Sequence, residues 1–564
     1  GIAALLDLEP IAQVDLPPRM AHQLDQMYRT QLDDIPTITA PAADAPRLCV
    51  IDTGVARGHP MLQSAVGETA AFPPALGDGL DVQGHGTGVA GIALYGDVEQ
   101  SRRLGEFRPR VWLDAARVTN AAGGYDDERL IASQMKEAVA YFAGRGCRLF
   151  VLAQGDPRLV YRGGRLSSWA AMLDSLAREH DALIFVAAGN HYGDLGAEPY
   201  PACLANEDAR LIEPATAINV LTVGAISASG SPSLSQRFPG DVSPRPVADP
   251  GLPAPFTRRG PGLGGAIKPD LIHYGGNFTF DPRTGTYGPD AGLGVVTLHW
   301  RHADRLFTVE HGTSMSAPRA AHVAAAVAQR FPGASANLWR ALVVGSATWP
   351  QGASEALRLP DGISPYHLMG YGVPDDERAA WSTGARATMI AESEVTLGQF
   401  HTYPVPIPRE FRETGGERRL SVTLAFDPPV ARRFQSRYAG NRLTFDLIRG
   451  MDPEAVIAAY AKPVTDEHAD DLPKIPDRNR CGLEPGPQAR SRATVQRGTW
   501  RINRNASLDY REPFWLVVRC LPNWQSRQES QRYAVVVTLE HVNEGVQLYA
   551  ALQARVRAMV RARA

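Results

Sequence analysis

Long apolar runs are missing from this 564-residue chain. The longest nearly uncharged apolar stretch, around Ala320 to Ala328, is far short of the roughly 20 residues that a bilayer-spanning helix needs. A surplus of either charge is missing too: 58 basic residues face 60 acidic ones, a net charge of −2. That excludes a nucleic-acid polyanion as the main partner. Lysine is nearly absent, with only Lys136, Lys268, Lys462 and Lys474 among the basic residues. The bias toward arginine reads as GC-rich bacterial coding, not as a binding feature. Cysteine is sparse and odd in number: Cys49, Cys147, Cys203, Cys481 and Cys520 are scattered, as individually packed reduced thiols would be. Reduced thiols favour the cytoplasm. The opening Gly1-Ile-Ala-Ala-Leu-Leu lacks a basic region and soon meets Asp7 and Glu9, so it is no signal peptide; one trimmed from upstream stays open. With 44% hydrophobic and 21% charged residues the chain is globular by composition, and it is long enough for two sizeable cores.

The pattern along the chain changes twice. Residues 1–45 hold one helical stretch, about Pro18 to Leu32, and a Pro/Ala-rich link, Ala40 to Pro46. From there to residue 385, short apolar runs alternate with helical segments. The runs are Leu48–Ile51, Val111–Leu113, Leu149–Leu152, Leu183–Val186 and Val220–Val223; the segments Glu128–Ala143 and Leu166–His180 have helical spacing. Continuous apolar strands separated by helices predict a parallel sheet covered on both faces, with its chemistry at the carboxyl ends of the strands. Residues 386–545 alternate instead: Val422, Leu424 and Phe426 against Ser421 and Thr423, then Leu443, Phe445 and Leu447, then Tyr533, Val535, Val537 and Leu539. Period-two alternation predicts half-buried antiparallel strands, hence a β-sandwich, interrupted by a polar loop from Asp452 to Ser491. Residues 546–564 form a basic amphipathic helix with Leu548, Leu552, Val556, Met559 and Val560 on one face, expected to pack on the sandwich.

Three segments carry chemistry. The strand Leu48–Ile51 delivers Asp52-Thr-Gly54; His85 sits in Gly84-His-Gly-Thr-Gly-Val-Ala-Gly91; Ser314 sits in Gly312-Thr-Ser-Met-Ser-Ala-Pro318 before an alanine-rich helix. A serine hydroxyl is a weak nucleophile near neutral pH. It needs an imidazole to take its proton and a carboxylate to hold that imidazole. A fourth piece, Ala187-Ala-Gly-Asn190 after a strand, places an amide that can donate to the oxyanion of a tetrahedral intermediate, with the Ser314 N–H as second donor.

These segments, in this order, resemble the subtilisin-like serine proteases from about Arg47 to Ala380. Further signatures agree: Pro214-Ala215 with Val223-Gly-Ala225, Phe256-Thr-Arg-Arg-Gly-Pro261, Lys268-Pro-Asp270 and Gly370-Tyr-Gly372. The resemblance implies an α/β subtilase fold and endopeptidase hydrolysis by a catalytic triad of Asp52, His85 and Ser314, with Asn190 in the oxyanion hole. It implies substrate binding at Ala153, Gln154, Gly155 and Gly189, and no organic cofactor; structural calcium is compatible with it, though no ligand set stands out. Two positions depart from the pattern, Gly88 where a second histidine is usual and Arg319 where a histidine is common. Ala153-Gln-Gly155 replaces the usual Ser-Leu-Gly-like strand, which alters the S1 rim; Asp156 and Glu198 near it would favour a basic P1 residue.

Other residues take plainer readings. His299 and His302 lack a third metal ligand, His59 buttresses a turn, Asp81 orients the histidine loop, and Cys203 is a small buried residue. The layout is similar to intracellular bacterial subtilases paired with an AAA-type ATPase in plasmid-maintenance or defence modules. That predicts a regulated cytoplasmic protease with protein or peptide substrates, no nucleic-acid partner and no membrane span. A secreted degradative enzyme and a non-catalytic interaction protein are the alternatives.

Overall fold

The computed structural model describes residues 23–563 apart from 127, 194, 197, 238–242, 358, 360–361, 435–436, 462–472 and 503–512, with side chains up to residue 557. The predicted helix at Pro18–Leu32 is described only from residue 23, where α1 spans Gln23–Arg29; its earlier part lies outside the described residues.

Seven strands form one parallel sheet: β1 (Arg47–Asp52), β2 (Val66–Ala71), β3 (Trp112–Arg117), β4 (Leu149–Leu152), β5 (Leu183–Ala187), β6 (Leu221–Ile226) and β7 (Leu271–Tyr274). Their order is β7-β6-β5-β4-β1-β3-β2. The apolar runs read as fully buried because they are covered twice. Leu48 and Val50 of β1 face one core, shared with Ala317, Ala320 and Ala324 of the long helix Thr313–Arg330. Cys49 and Ile51 face the other, with Met135 and Phe142 of helix Ile131–Ala143 and Leu173 of helix Ser168–Glu179. Strand order reverses around β1, which lies between β3 and β4, so the crevice at its carboxyl end is where an open α/β sheet admits a ligand. Asp52 is the last residue of that strand.

A hairpin follows, β8 (Val295–Leu298) and β9 (Phe307–Glu310), and then the second body. Its strands are β10 (Arg386–Thr396), β11 (Phe400–Pro404), β12 (Arg418–Phe426), β13 (Asn441–Arg449), β14 (Val495–Ile502), β15 (Phe514–Pro522) and β16 (Ser530–His541). They pair antiparallel as two sheets, β10-β16-β12-β14 and β11-β15-β13, which enclose Val422, Leu424, Leu443, Phe445, Leu516 and Val535. The sandwich differs from expectation on its polar face. Ser421 and Thr423 are buried, at 7% and 1% exposure, because helix Ala336–Ser346 of the peptidase region lies across β12 and β16. A Cβ on Gly345 would come 3.2 Å from Thr423 Oγ1. Hydroxyl side chains suit a buried face when the covering element approaches closely.

Buried polar groups join the two bodies. Arg340, 1% exposed, donates to the carbonyls of Phe426 (3.0 Å) and Ile218 (3.3 Å) and to Thr494 Oγ1 (2.9 Å). Tyr438 donates to Asp174 at 2.7 Å, and Arg378 forks onto Glu540 at 2.7 and 3.1 Å. The expected loop Asp452–Ser491 contains a helix, Pro453–Tyr460, started by proline at its first turn. Val456 and Tyr460 bury one face of it, and Tyr460 donates to Asp446 of β13 at 2.7 Å. The terminal helix, Leu548–Arg563, sets Leu548 and Leu552 into the sandwich core, while Val556 is 40% exposed; Met559 and Val560 lie beyond the described side chains.

Candidate active site

The carboxyl end of β1 carries Asp52 into a fully buried position. One carboxylate oxygen, Oδ1, accepts from Thr53 N at 2.8 Å and bonds His85 Nδ1 at 2.8 Å. The other, Oδ2, is buried and meets no hydrogen-bond donor among the described residues. His85 opens the helix His85–Tyr95. Asp81 ties that helix to the acid's loop: its carboxylate accepts from Thr53 Oγ1 (2.8 Å), Gln83 N (3.0 Å), Gly84 N (2.8 Å) and Thr87 N (2.8 Å). A carboxylate at a helix N-terminus satisfies its orphan N–H groups and suits its dipole. A Cβ on Gly86 would stand 2.1 Å from the Gly54 carbonyl, so only glycine lets the two loops meet.

Ser314 lies in the first turn of helix Thr313–Arg330, where backbone N–H groups have no intrahelical acceptor. The Thr313 N–H goes to Asn190 Oδ1 at 2.9 Å, and Thr313 Oγ1 donates to the same oxygen at 3.2 Å. That fixes the Asn190 amide with its NH2 toward the cleft side of the serine turn. Gly312, at φ +134°, would place a Cβ 2.7 Å from Asn190 Nδ2. The Tyr192 ring stacks on Phe278 with centroids 5.9 Å apart. Thr313 is a contributor that no spacing argument pointed to; only the fold brings it to Asn190.

The Ser314 hydroxyl donates to the Ala153 carbonyl at 3.0 Å, not to His85. Burial pulls the His85 imidazolium toward losing its proton, but the Asp52 charge and hydrogen bond, then Glu310 and Asp81, outweigh burial and raise it to about 9. Glu310, at the end of β9 and four residues before the serine, was not singled out from the sequence. Burial raises its carboxyl above the ordinary range, and His85 opposes that rise.

The remaining candidates divide. Gly155 and Gly189 both lie against the Ile212 side chain, and Gly189 N donates to Thr313 Oγ1 at 3.0 Å. Gln154, read as part of a pocket rim, turns its side chain back toward Asp52, at 3.4 Å. Asp156 is engaged by Arg158, whose hydrogen bonds hold its carboxyl below the usual range, and Glu198 accepts from Asn206 at 2.9 Å. A Cβ at position 88, where glycine stands in place of the usual histidine, would meet Thr297 Cγ2 at 3.2 Å, a tight contact. Arg319 reaches Asp97 at 3.3 Å. His59 is fully buried, bonds the Leu306 carbonyl at 3.1 Å and accepts from Met61 N, and His302 packs edge-on against it. Cys203 lies in an apolar cluster at 5% exposure. Among the described residues no group of three or more His, Cys, Asp or Glu side chains is gathered as for a metal ion.

Comparison with known proteins agrees with this geometry. The sequence model of the Subtilase family, Peptidase_S8, matches residues 43–372, more than half of the chain. The chain belongs to the subtilase family. The subtilase is also 43% identical to "Uncharacterized protein y4bN" of Sinorhizobium fredii (strain NBRC 101917 / NGR234), over 438 residues that make up 76% of this chain and all of that protein. Among solved structures, MycP1 with its N-terminal propeptide removed shares 23% identity at a TM-score of 0.39, covering 64% of this chain and 95% of that one. A cold-adapted subtilisin-like serine proteinase shares 20% at a TM-score of 0.36, over 64% and 96%. A lanthipeptide protease shares 17% at 0.39, over 59% and 87%. The protein is thus a subtilase-family serine protease with an antiparallel sandwich behind its peptidase sheet.

Proposed function

We propose that this subtilase is a serine endopeptidase working through a Ser314 acyl-enzyme. The 2.8 Å contact between His85 Nδ1 and the buried Asp52 carboxylate carries the reading, because it leaves Nε2 as the base. His85 takes the Ser314 proton as Oγ attacks the scissile carbonyl. Asp52 holds the imidazolium, and Asn190 Nδ2 with the Ser314 N–H receives the oxyanion. The C–N bond breaks as His85 returns the proton to the leaving amine. Water, deprotonated by His85, then releases the new carboxyl end and frees Ser314. Ala153, Gln154 and Gly155 are assigned to the substrate backbone, with Gly189 beside them.

Two observations favour a restrained enzyme. Ser314 rests on the Ala153 carbonyl instead of on His85, and the buried Asp52 carboxylate stabilises the His85 imidazolium, the form that cannot take the serine proton. The five cysteines are free and buried, which suits a reducing cytoplasm, and the relative from Sinorhizobium fredii suits a bacterial source. We assign the protein to the bacterial cytoplasm, with an AAA-type ATPase as partner and polypeptide as substrate. A fluorophosphonate probe tests the chemistry: one adduct by intact mass on wild type and none on Ser314→Ala. No adduct on folded wild type at pH 9 overturns it. ATP-dependent labelling with a co-encoded ATPase tests the partner, and cleavage of internal bonds in an unfolded polypeptide tests endopeptidase action.

A further inference from the structure

Gln154 stands between Ala153, whose carbonyl holds Ser314, and Gly155 against Ile212, yet its side chain serves neither neighbour. Its Nε2 donates to Asp52 Oδ1 at 3.4 Å, and its Oε1 accepts from the Tyr125 phenol. Tyr125 is itself fixed, edge-on to Trp169 with ring centroids 5.4 Å apart. Burial first, then the charges of Asp52 and Asp156, raise the phenol far above its ordinary range, so it remains a donor at every working pH. The acceptor-only carboxylate dictates which end of the amide it meets, and the phenol, which can pair with either end, then donates to Oε1. Turning the amide over would set its oxygen against a carboxylate oxygen. The result is a directed chain from Tyr125 to Gln154 to Asp52 to His85. It ends on a carboxylate whose second oxygen, Oδ2, is buried without a donor among the described residues.

We infer that Gln154, locked by Tyr125, is a positioning residue that tunes how tightly Asp52 holds the His85 proton. This rests on the Asp52–His85–Ser314 reading above. An N–H on Asp52 Oδ1 draws on the same lone pairs as His85 Nδ1, so it weakens the carboxylate's grip on the imidazolium and keeps the proton releasable. Leucine, or any apolar residue at position 154, removes that competition. Glutamate of the same shape adds a second negative charge beside Asp52 and tightens the grip further.

The test uses the full-length Ser314→Ala protein with 15N-labelled histidine, following the His85 ring proton by NMR across pH. The signal is assigned by its loss in His85→Gln. Gln154→Leu is expected to raise the His85 midpoint by about half a pH unit, and Gln154→Glu by more than about one. Tyr125→Phe, which removes the hydroxyl that holds Oε1 and loosens the amide's contact with Asp52, should fall between wild type and Gln154→Leu; it stands as the test by itself if Gln154→Leu does not fold. Midpoints that stay within about 0.2 unit of wild type, or that fall, overturn the inference, because a packing role predicts no ordered series. The readout needs no catalysis. Ordered shifts across these variants, with no fluorophosphonate adduct on the protein that keeps Ser314, sink the acyl-enzyme reading and leave this one standing.

Discussion

Raising the pH should switch on fluorophosphonate labelling of Ser314, with a midpoint near 9. Only neutral His85 accepts the serine proton, and Asp52, with Glu310 and Asp81 behind it, raises the imidazolium from its ordinary 6.5 to about 9. At pH 7 such a group is neutral in roughly one molecule in a hundred, so phosphonylation should run at roughly one hundredth of its plateau rate. The His85 side chain is 35% exposed, so added salt should lower the midpoint by a few tenths of a unit, roughly what screening of a partly open pair allows. Asp52→Asn removes the main cause of the shift. Its midpoint should drop toward or below about 6.5 while the plateau falls on the order of 10⁴-fold, because the amide no longer holds the productive tautomer. The assay is the labelling rate by intact mass from pH 6 to 10, with circular dichroism to confirm that each variant folds. A wild-type midpoint at or below about 7 refutes the claim that Asp52 outweighs burial. Stability runs the opposite way. The folded state binds this proton more tightly than the unfolded state, so His85 stabilises fully below about pH 6.5 and that contribution is lost as pH rises through about 9.

Asn190→Ala should lower the second-order rate of peptide cleavage by about 10² to 10³, measured by kcat/KM, and cost about 1–2 kcal/mol in a melt because Thr313 loses the acceptor of its N–H and hydroxyl. Asp81→Ala strips five N–H and O–H donors of their acceptor at the junction of the acid and base loops. It should destabilise by about 3 kcal/mol in denaturant melts and abolish labelling. Arg340→Ala removes the guanidinium donations to the Phe426 and Ile218 carbonyls and to Thr494 Oγ1 that join the peptidase region to the sandwich. A loss of about 3 kcal/mol is expected, along with separation of one unfolding transition into two. The five cysteines should resist a thiol reagent in the native protein and react after unfolding, since burial raises Cys481 and Cys520 to about 12 and Cys203 to about 11.

Local signals carried much of this protein. The runs Leu48–Ile51, Leu149–Leu152 and Leu183–Val186 predicted buried parallel strands because residues covered on both faces need no polar alternation. Asp52, His85, Asn190 and Ser314 were legible because each lies at a strand end or helix start beside glycines that few other arrangements require. Asp81 was legible as well: an acid four residues before a helix-opening histidine has donors waiting for it. Helix Pro453–Tyr460 was not legible, since two buried side chains in a polar segment leave too short a pattern to stand out.

Residue types and spacing determined the sheet, the alternating strands of the sandwich, and an acid, a base and a hydroxyl at element ends, because these depend on each segment's own polarity and backbone freedom. Tertiary structure alone decided what those groups meet. Gln154 reads as a pocket rim until the fold brings Tyr125 over it and points its amide at Asp52. Thr423 reads as a solvent-facing strand residue until helix Ala336–Ser346 covers it. Glu310 is an ordinary strand-end acid until its charge reaches His85. Proton affinity and hydrogen-bond direction depend on neighbours across space, and a linear sequence does not list those.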